Sequence, residues 1–456
     1  MNNQFLVDRI AEKVEGISFE SLPQDIPRKI KICILDALEC AFSRPVDARK
    51  QSAFRSVPKT KQREKDSVLL FGSDYYSDQS NAAFVNSVYI SSSPRIDIDK
   101  EKACHAGSVV IPSALAVAES KHLNGKRLIE GIVAGYETMI RLGYAFEGAD
   151  RPKAFRPTAI YAPYGSAFAA AKTMGFDADG IARAVSFACH TASGFFEWSE
   201  SGTGEDAFQS GWGARNGVQA ALLAGGGVPA CHSILEGKTG FLSAFGAIKN
   251  ADLLIEGLGR IYLTEDILKK PIAACLMVQA PCQLVEKISR TDGFDWHDVK
   301  KITITVCRQA KTSPGCDNNS NITLPSHATQ SIQYAVAGTV IGKSCSGINW
   351  LPPYSKDYLS LMSRCFIEVD DNYTKVFPHR TPARVVVEMT DGKTFELEAD
   401  DFKSLSDDEV ISRFYKTLGW AYSKDELNRI FDGVMALDTM DDISDFTNLL
   451  KINNGR

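Results

Sequence analysis

The residue best placed to do chemistry in this chain is a histidine ahead of an apolar segment. The stretch Cys104-His105-Ala106-Gly107-Ser108-Val109-Val110-Ile111-Pro112-Ser113-Ala114-Leu115-Ala116-Val117-Ala118-Glu119 sets an imidazole in a small-residue loop and follows it with alanine-rich sequence. That sequence reads as a buried helix, with His105 at or just before its first turn. Exposed amides and the positive end of a helix favour an anion there, such as a substrate carboxylate. A neutral imidazole beside such an anion can move a proton near pH 7. The plain structural alternative is a histidine that caps a loop.

The totals narrow the classes. The chain has 456 residues, 44% hydrophobic and 23% charged, enough for two or three domains and a sizeable core. A net charge of −5 without a long basic run argues against nucleic acid or an anionic membrane as partner. The eleven cysteines are scattered, with no CxxC and no Cys/His ligand grouping, so no structural metal is expected. Met1-Asn2-Asn3-Gln4-Phe5 has neither the basic start nor the apolar stretch of a signal peptide, and no apolar run is long enough to cross a bilayer. The expectation is a reduced, cytoplasmic protein.

The elements that must position His105 are mostly helical. Ser21 to Phe42 has prolines at its start and apolar residues spaced by three and four. Arg44 to Asp66 is polar and basic and reads as a loop or exposed segment. Ser80 to Ile90, Leu128 to Phe146, Tyr164 to Met174, Ala182 to Ala192 and Gly211 to Ala224 are helical and rich in small residues, which implies closely packed bundle helices. Gly225-Gly226-Gly227 lacks the P-loop lysine and the Rossmann spacing, so no nucleotide site is read there. Beyond about residue 265 the pattern changes. Lys301 to Val306 and Cys365 to Val369 alternate as strands do, and Ala383 to Met389 and Thr394 to Glu398 flank a hairpin turn at Asp391-Gly392. Ser331 to Ile341 is an apolar helix among them. Ser406-Asp407-Asp408-Glu409 is a capping box that opens a helical C-terminus. The fold expected is mainly α: a large all-helical domain over 1–265, to which 405–456 returns, and a smaller α/β (α+β) lid domain over 266–404.

Taken together, several short stretches resemble the MmgE/PrpD family across nearly the whole chain. They are Leu35 to Leu38, His105 to Glu119, Gly135-Tyr136-Glu137, Arg156-Pro157-Thr158, Gly211 to Gly217, Ile234 to Phe241, Lys270-Pro271, Gln333 to Ala337 and Arg384 to Gly392. Each motif is weak alone; their order and spacing carry the likeness. The resemblance implies a helical domain plus a smaller α/β domain, a homodimer, and an active site between the domains that needs no metal or organic cofactor. It implies general acid–base chemistry on small di- and tricarboxylates, with cations holding the carboxylates.

Carried over position by position, the likeness keeps some site residues and loses others. His105 falls on the family's histidine and Lys270 on its lysine, while Asp97 falls on the last member of an acidic cluster. Ser91 stands where a histidine is usual, and Pro94 and Ile96 where aspartates are usual; Asp99 is a sideways substitute. Arg156 replaces a histidine before Pro-Thr, Asp206 a lysine, and Gln209 and Gln279 histidines. Arginine is no base at neutral pH but binds carboxylate as a planar fork, and glutamine orients without carrying a proton.

The resemblance therefore implies His105 as base, Asp97 as its orienting group and Lys270 as catalytic cation, with Arg156, Asp206, Gln209 and Gln279 holding the substrate. Each has a bland alternative: a capping aspartate, a surface lysine, an ion-paired arginine, glutamines bonded to backbone. His190, His232, Tyr161 and Tyr164 read as structural, and Ser199 to Gly204 as an exposed loop. Three functions stay open: a cofactor-independent lyase (dehydratase or decarboxylase), an isomerase or epimerase of a carboxylated substrate, and a catalytically silent binding protein.

Overall fold

Small side chains decide how the helices of the first unit pack. The computed structural model describes residues 4–43, 47–147 and 154–452. The chain divides into two units, Met1–Phe195 with Asp206–Leu268 and Ser406–Arg456, and Phe196–Glu205 with Lys269–Leu405. In the first, the helix Pro157–Met174 packs against both Gly125–Ala145 and Asp206–Gly225. A Cβ added at Gly213 would stand 2.2 Å from Ala162 Cβ, so only glycine lets those two backbones come this close. Overfilling such a contact costs about 1–3 kcal/mol.

The helix that follows His105 runs Gly107–Ser120 and is buried along its whole length. Pro112 inside it has no N–H to give to the carbonyl of Ser108. Ser87 Oγ, on the neighbouring helix Gln79–Ser91, donates to that carbonyl at 2.7 Å and replaces the lost bond. Buried charges are likewise paired, since an unpaired one would cost several kcal/mol, about 3–5. Glu39 meets Arg95 at 2.6 Å and Arg413 at 3.4 Å, and Arg413 also bonds Asp36. The C-terminal segment closes on the first unit's own helix Asp25–Phe42, where Lys31 Nζ donates to Met435 O at 2.7 Å and to Asp438 at 2.6 Å.

Two details depart from the expectation for this unit. It is not all-helical: Val68–Leu69 and Tyr76–Ser77 pair as a short antiparallel ribbon. The polar segment expected as loop contains the helix Ala48–Arg55, held by the Asp47 side chain, which accepts from Arg49 N and Lys50 N. Arg44 to Val46 lie outside the described residues.

The second unit carries a four-stranded sheet in the order Cys365–Val369, Val299–Val306, Ala383–Met389, Thr394–Ala399. The first pair is parallel and the others antiparallel. Ala383–Met389 alternates buried and half-buried positions. Gly392, at φ 88°, supplies the left-handed residue of the hairpin turn. Helices Gln279–Ser289 and Ile332–Gly342 pack on one another, the latter capped by Ser331. Phe196–Glu205 belongs to this unit although its neighbours in sequence do not. Among the described residues no helix is long and apolar enough to cross a membrane.

Candidate active site

His105 stands just outside the helix Gly107–Ser120, half-buried. Its backbone is tied down by Thr158, whose Oγ1 accepts from His105 N at 3.3 Å and donates to Ala103 O at 3.2 Å. Ser108 Oγ bonds His105 O at 3.0 Å. The ring is fixed as well. His105 Nδ1 lies 2.6 Å from the backbone carbonyl of Asp97. A carbonyl only accepts, so Nδ1 carries the hydrogen, and in the neutral ring Nε2 holds the lone pair.

The Asp97 carboxylate is buried and serves the helix start. Its Oδ1 accepts from Gly107 N at 3.2 Å and its Oδ2 from Tyr136 Oη at 2.5 Å. Burial and the adjacent carboxylate push the Tyr136 phenol well above its ordinary range, so it stays a donor. A Cβ at Gly107 would fall 2.4 Å from Tyr136 Oη and 2.6 Å from Asp97 Oδ2, which explains a glycine there. Tyr136 lies in the Gly-Tyr-Glu stretch of the sequence, but nothing local to that stretch announces its partner. The next residue, Glu137, ion-pairs with Arg141 and accepts from Leu263 N and Thr264 N at 3.1 and 2.9 Å, fixing the turn that precedes the second unit's chain segment.

Arg156 and Asp206 meet in the first unit. Arg156 precedes Pro157 as the N-cap of its helix, and its backbone N donates to Gly194 O at 3.0 Å. Its guanidinium donates to Asp206 O at 2.9 Å and lies near enough to the Cys104 thiol to oppose that group's burial. Burial pushes the Asp206 carboxyl up, while Arg156 and Arg49 hold it down. Asp206 Oδ1 is buried without a hydrogen bond among the described residues. Gln209, one turn on, donates from Nε2 to Phe195 O at 2.8 Å, and its buried Oε1 has no donor among the described residues. The helix Gln79–Ser91 runs antiparallel to Asp206–Gly225, with Ser80 bonded to Gln219 and Val88 against Gly211, so Ser91 comes to the Asp206 end; Ser91 Oγ is also buried, with no hydrogen bond among the described residues. Among the described residues, three polar atoms at one end of two helices therefore have no hydrogen-bond partner.

In the second unit, buried Lys270 directs Nζ to Ala274 O at 3.4 Å. Gln279 is fully engaged: its Oε1 accepts from Ile272 N at 3.1 Å, and its Nε2 donates to Ile272 O, Ala274 O and Cys275 O at 3.1, 3.2 and 3.1 Å. Gln279 thereby clasps the loop behind Lys270. Ser199 to Gly204, expected as exposed loop, is held by Ser199 Oγ on Pro314 O at 3.0 Å and by Ser326 Oγ on Thr203 O at 2.7 Å. His190 is exposed, and His232 Nδ1 pairs with Asp8 at 2.5 Å, as structural histidines do. Among the described residues no group of three or more His, Cys, Asp or Glu side chains forms a metal site.

Comparison with known proteins adds the lineage. A sequence model of the MmgE/PrpD N-terminal domain matches residues 8–253, and one of the MmgE/PrpD C-terminal domain matches residues 272–438. A cis-aconitate decarboxylase of Aspergillus terreus is 24% identical over 475 aligned residues, covering 97% of this chain and 95% of its own. The cis-aconitate decarboxylase of Homo sapiens is 26% identical over 396, covering 81% and 79%. That of Mus musculus is 24% identical over 476, covering 98% and 93%.

Proposed function

The chain belongs to the MmgE/PrpD family, and on that premise we propose that it is a lyase that removes carbon dioxide or water from a small di- or tricarboxylate by general acid–base chemistry. The observation that carries this reading is the bond from His105 Nδ1 to the Asp97 carbonyl. It presents Nε2 as the proton-transferring atom and steadies the imidazolium once the proton has moved. In decarboxylation, the electron pair left on carbon as CO2 departs is taken up by the remaining conjugated carboxylate and then protonated from His105. In dehydration, His105 removes the proton next to a carboxylate before the hydroxyl leaves.

Arg156 holds a substrate carboxylate as a fork, a charge-assisted contact. Lys270 is assigned the second cation, opposing the developing enolate charge; that assignment rests on its position in the family's pattern. Asp97 and Gln279 are positioning residues. Asp206 Oδ1 and Gln209 Oε1 are acceptors open to a donor on the substrate, a hydroxyl or an amine. With lysine and histidine absent from those two positions, the substrate is expected to differ from cis-aconitate, which the named relatives decarboxylate.

The test is a panel of di- and tricarboxylates, with and without hydroxyl or amino groups, followed by proton NMR for product and by trapping of released CO2. Turnover of one with loss of CO2 or water supports the reading. Solvent deuterium entering substrate without elimination would make the chain an epimerase, and binding by calorimetry without turnover would make it a silent relative.

A further inference from the structure

The loop that carries Lys270 also carries one member of a sulfur pair that the proposed reaction does not use. Cys275 Sγ lies 3.8 Å from Cys316 Sγ. Both backbones are pinned to the ends of one short segment: Cys275 N donates to Thr329 O at 2.9 Å, and Ile332 N donates to Cys316 O at 3.1 Å. Gln279 Nε2 holds Cys275 O at 3.1 Å. The thiols are therefore neighbours because the fold makes them so. Cys316 is buried and Cys275 is partly exposed, so Cys275 is the nearer of the two to solvent.

The electrostatics divide the roles. The hydrogen bond from Cys316, backbone N–H groups of Met277 and Leu276, and the Lys270 ammonium pull the Cys275 thiol down to about 7, against burial, which pushes it up. The same hydrogen bond together with burial pushes Cys316 well up, so Cys316 S–H is the donor and Cys275 sulfur the acceptor. A partly exposed, low-lying thiol next to a buried resolving thiol is the arrangement of an oxidisable pair.

We propose that Cys275 and Cys316 form a dithiol–disulfide pair that is oxidised by low-molecular-weight disulfides such as oxidised glutathione. In the first step the Cys275 thiolate attacks a glutathione sulfur; the new bond joins Cys275 to glutathione, and one glutathione thiolate leaves. In the second, Cys316 gives up its proton and attacks Cys275 sulfur, forming the internal disulfide and releasing the second glutathione. The balance is two protein thiols and one oxidised glutathione giving one protein disulfide and two reduced glutathiones. Side-chain rotation has to close the sulfurs from 3.8 Å to about 2.05 Å. The product removes an ionisable thiol from the loop Lys270 stands on and cross-links that loop to Cys316.

The experiment uses the reduced full chain. It is incubated with excess oxidised glutathione, alkylated with iodoacetamide, digested without reductant and read by mass spectrometry. The expected result is one cross-linked peptide pair, Cys275 with Cys316, with both free thiols lost together and recovered by dithiothreitol. Cys316→Ser is expected to stop at a glutathione mixed disulfide on Cys275, and Cys275→Ser to leave Cys316 reduced. Full alkylation of both cysteines under conditions that oxidise exposed Cys231 would overturn the proposal, as would mixed disulfide at Cys275 that wild-type protein never resolves. If the Cys316→Ser chain fails to fold, the wild-type peptide map decides alone. The readout is a covalent bond, so it holds or fails whatever the chain turns over.

Discussion

His105 Nδ1 donates to the backbone carbonyl of Asp97 at 2.6 Å, while the carboxylate of the same Asp97 accepts from Tyr136 and from Gly107 at the helix start. One residue thus fixes the tautomer of the ring and the position of the helix behind it. These two tasks use different atoms, so substitutions separate them.

Asp97→Asn keeps the carbonyl and turns one carboxylate oxygen into a donor that opposes either Tyr136 or Gly107. It is expected to cost about 1–3 kcal/mol of stability while kcat falls far less than in His105→Gln. Loss of a positioned acid–base group costs roughly 10²–10⁴ in rate. Paired thermal melts and kcat for the two variants check this; equal kcat losses with no melting difference would refute the division of labour.

Gly107→Ala places a methyl against Tyr136 Oη and the Asp97 carboxylate. A destabilisation of about 1–3 kcal/mol is expected, and Tyr136→Phe is expected to relieve part of it because it deletes the nearest atom. A double-mutant cycle by urea unfolding measures the coupling, and purely additive effects would count against the contact.

Arg156→Lys exchanges a fork for a point charge and should raise KM for the carboxylate substrate roughly tenfold, the loss of about 1.4 kcal/mol in a charge-assisted contact. Because Arg156 also bonds Asp206 O, a melt must accompany the kinetics. Unchanged KM in a folded variant would reduce Arg156 to an internal ion-pair partner.

Burial pushes Glu119 from its usual 4.5 up to about 7, outweighing Arg63 at 3.5 Å. A carboxyl raised in the folded state favours folding while protonated, and that contribution is lost as pH rises from about 4.5 through about 7. Glu119→Gln, neutral throughout, is expected to melt close to wild type near pH 5 and increasingly above it toward pH 8. A Tm difference that is flat or reversed over that range would show that the Arg63 pair dominates.

Some of this was legible in the sequence, and for physical reasons. Alternation is a local signal, so Cys365–Val369 and Ala383–Met389 were readable to the residue, as was the turn at Asp391-Gly392. The small-residue helices and His105 at a helix start were readable for the same reason. Long-range relationships were not. The helix Ala48–Arg55 buries little besides Ala53 and the stem of Lys50, so its apolar period is faint. Nothing local tells that Phe196–Glu205 joins the second unit; Gly202, at φ 73°, lies against the His327 ring there. Gln279 shows the remaining limit: residue type names a group that can hydrogen-bond, and only the fold reveals that its partners are the backbone of residues 272–275.

The central claim is that His105 Nε2 carries the reacting proton. The direct measurement is deuterium incorporation at the product carbon in D2O, by NMR, for wild type and for a folded His105→Gln chain acting on the carboxylate that the wild type turns over. For a substrate that the wild type decarboxylates, the account predicts one solvent deuterium per turnover in the product and a fall of at least about 100-fold in the rate of its appearance in the variant; for one that it dehydrates, the same fall is predicted in the rate at which the proton next to the carboxylate is lost. An unchanged rate in His105→Gln would contradict it.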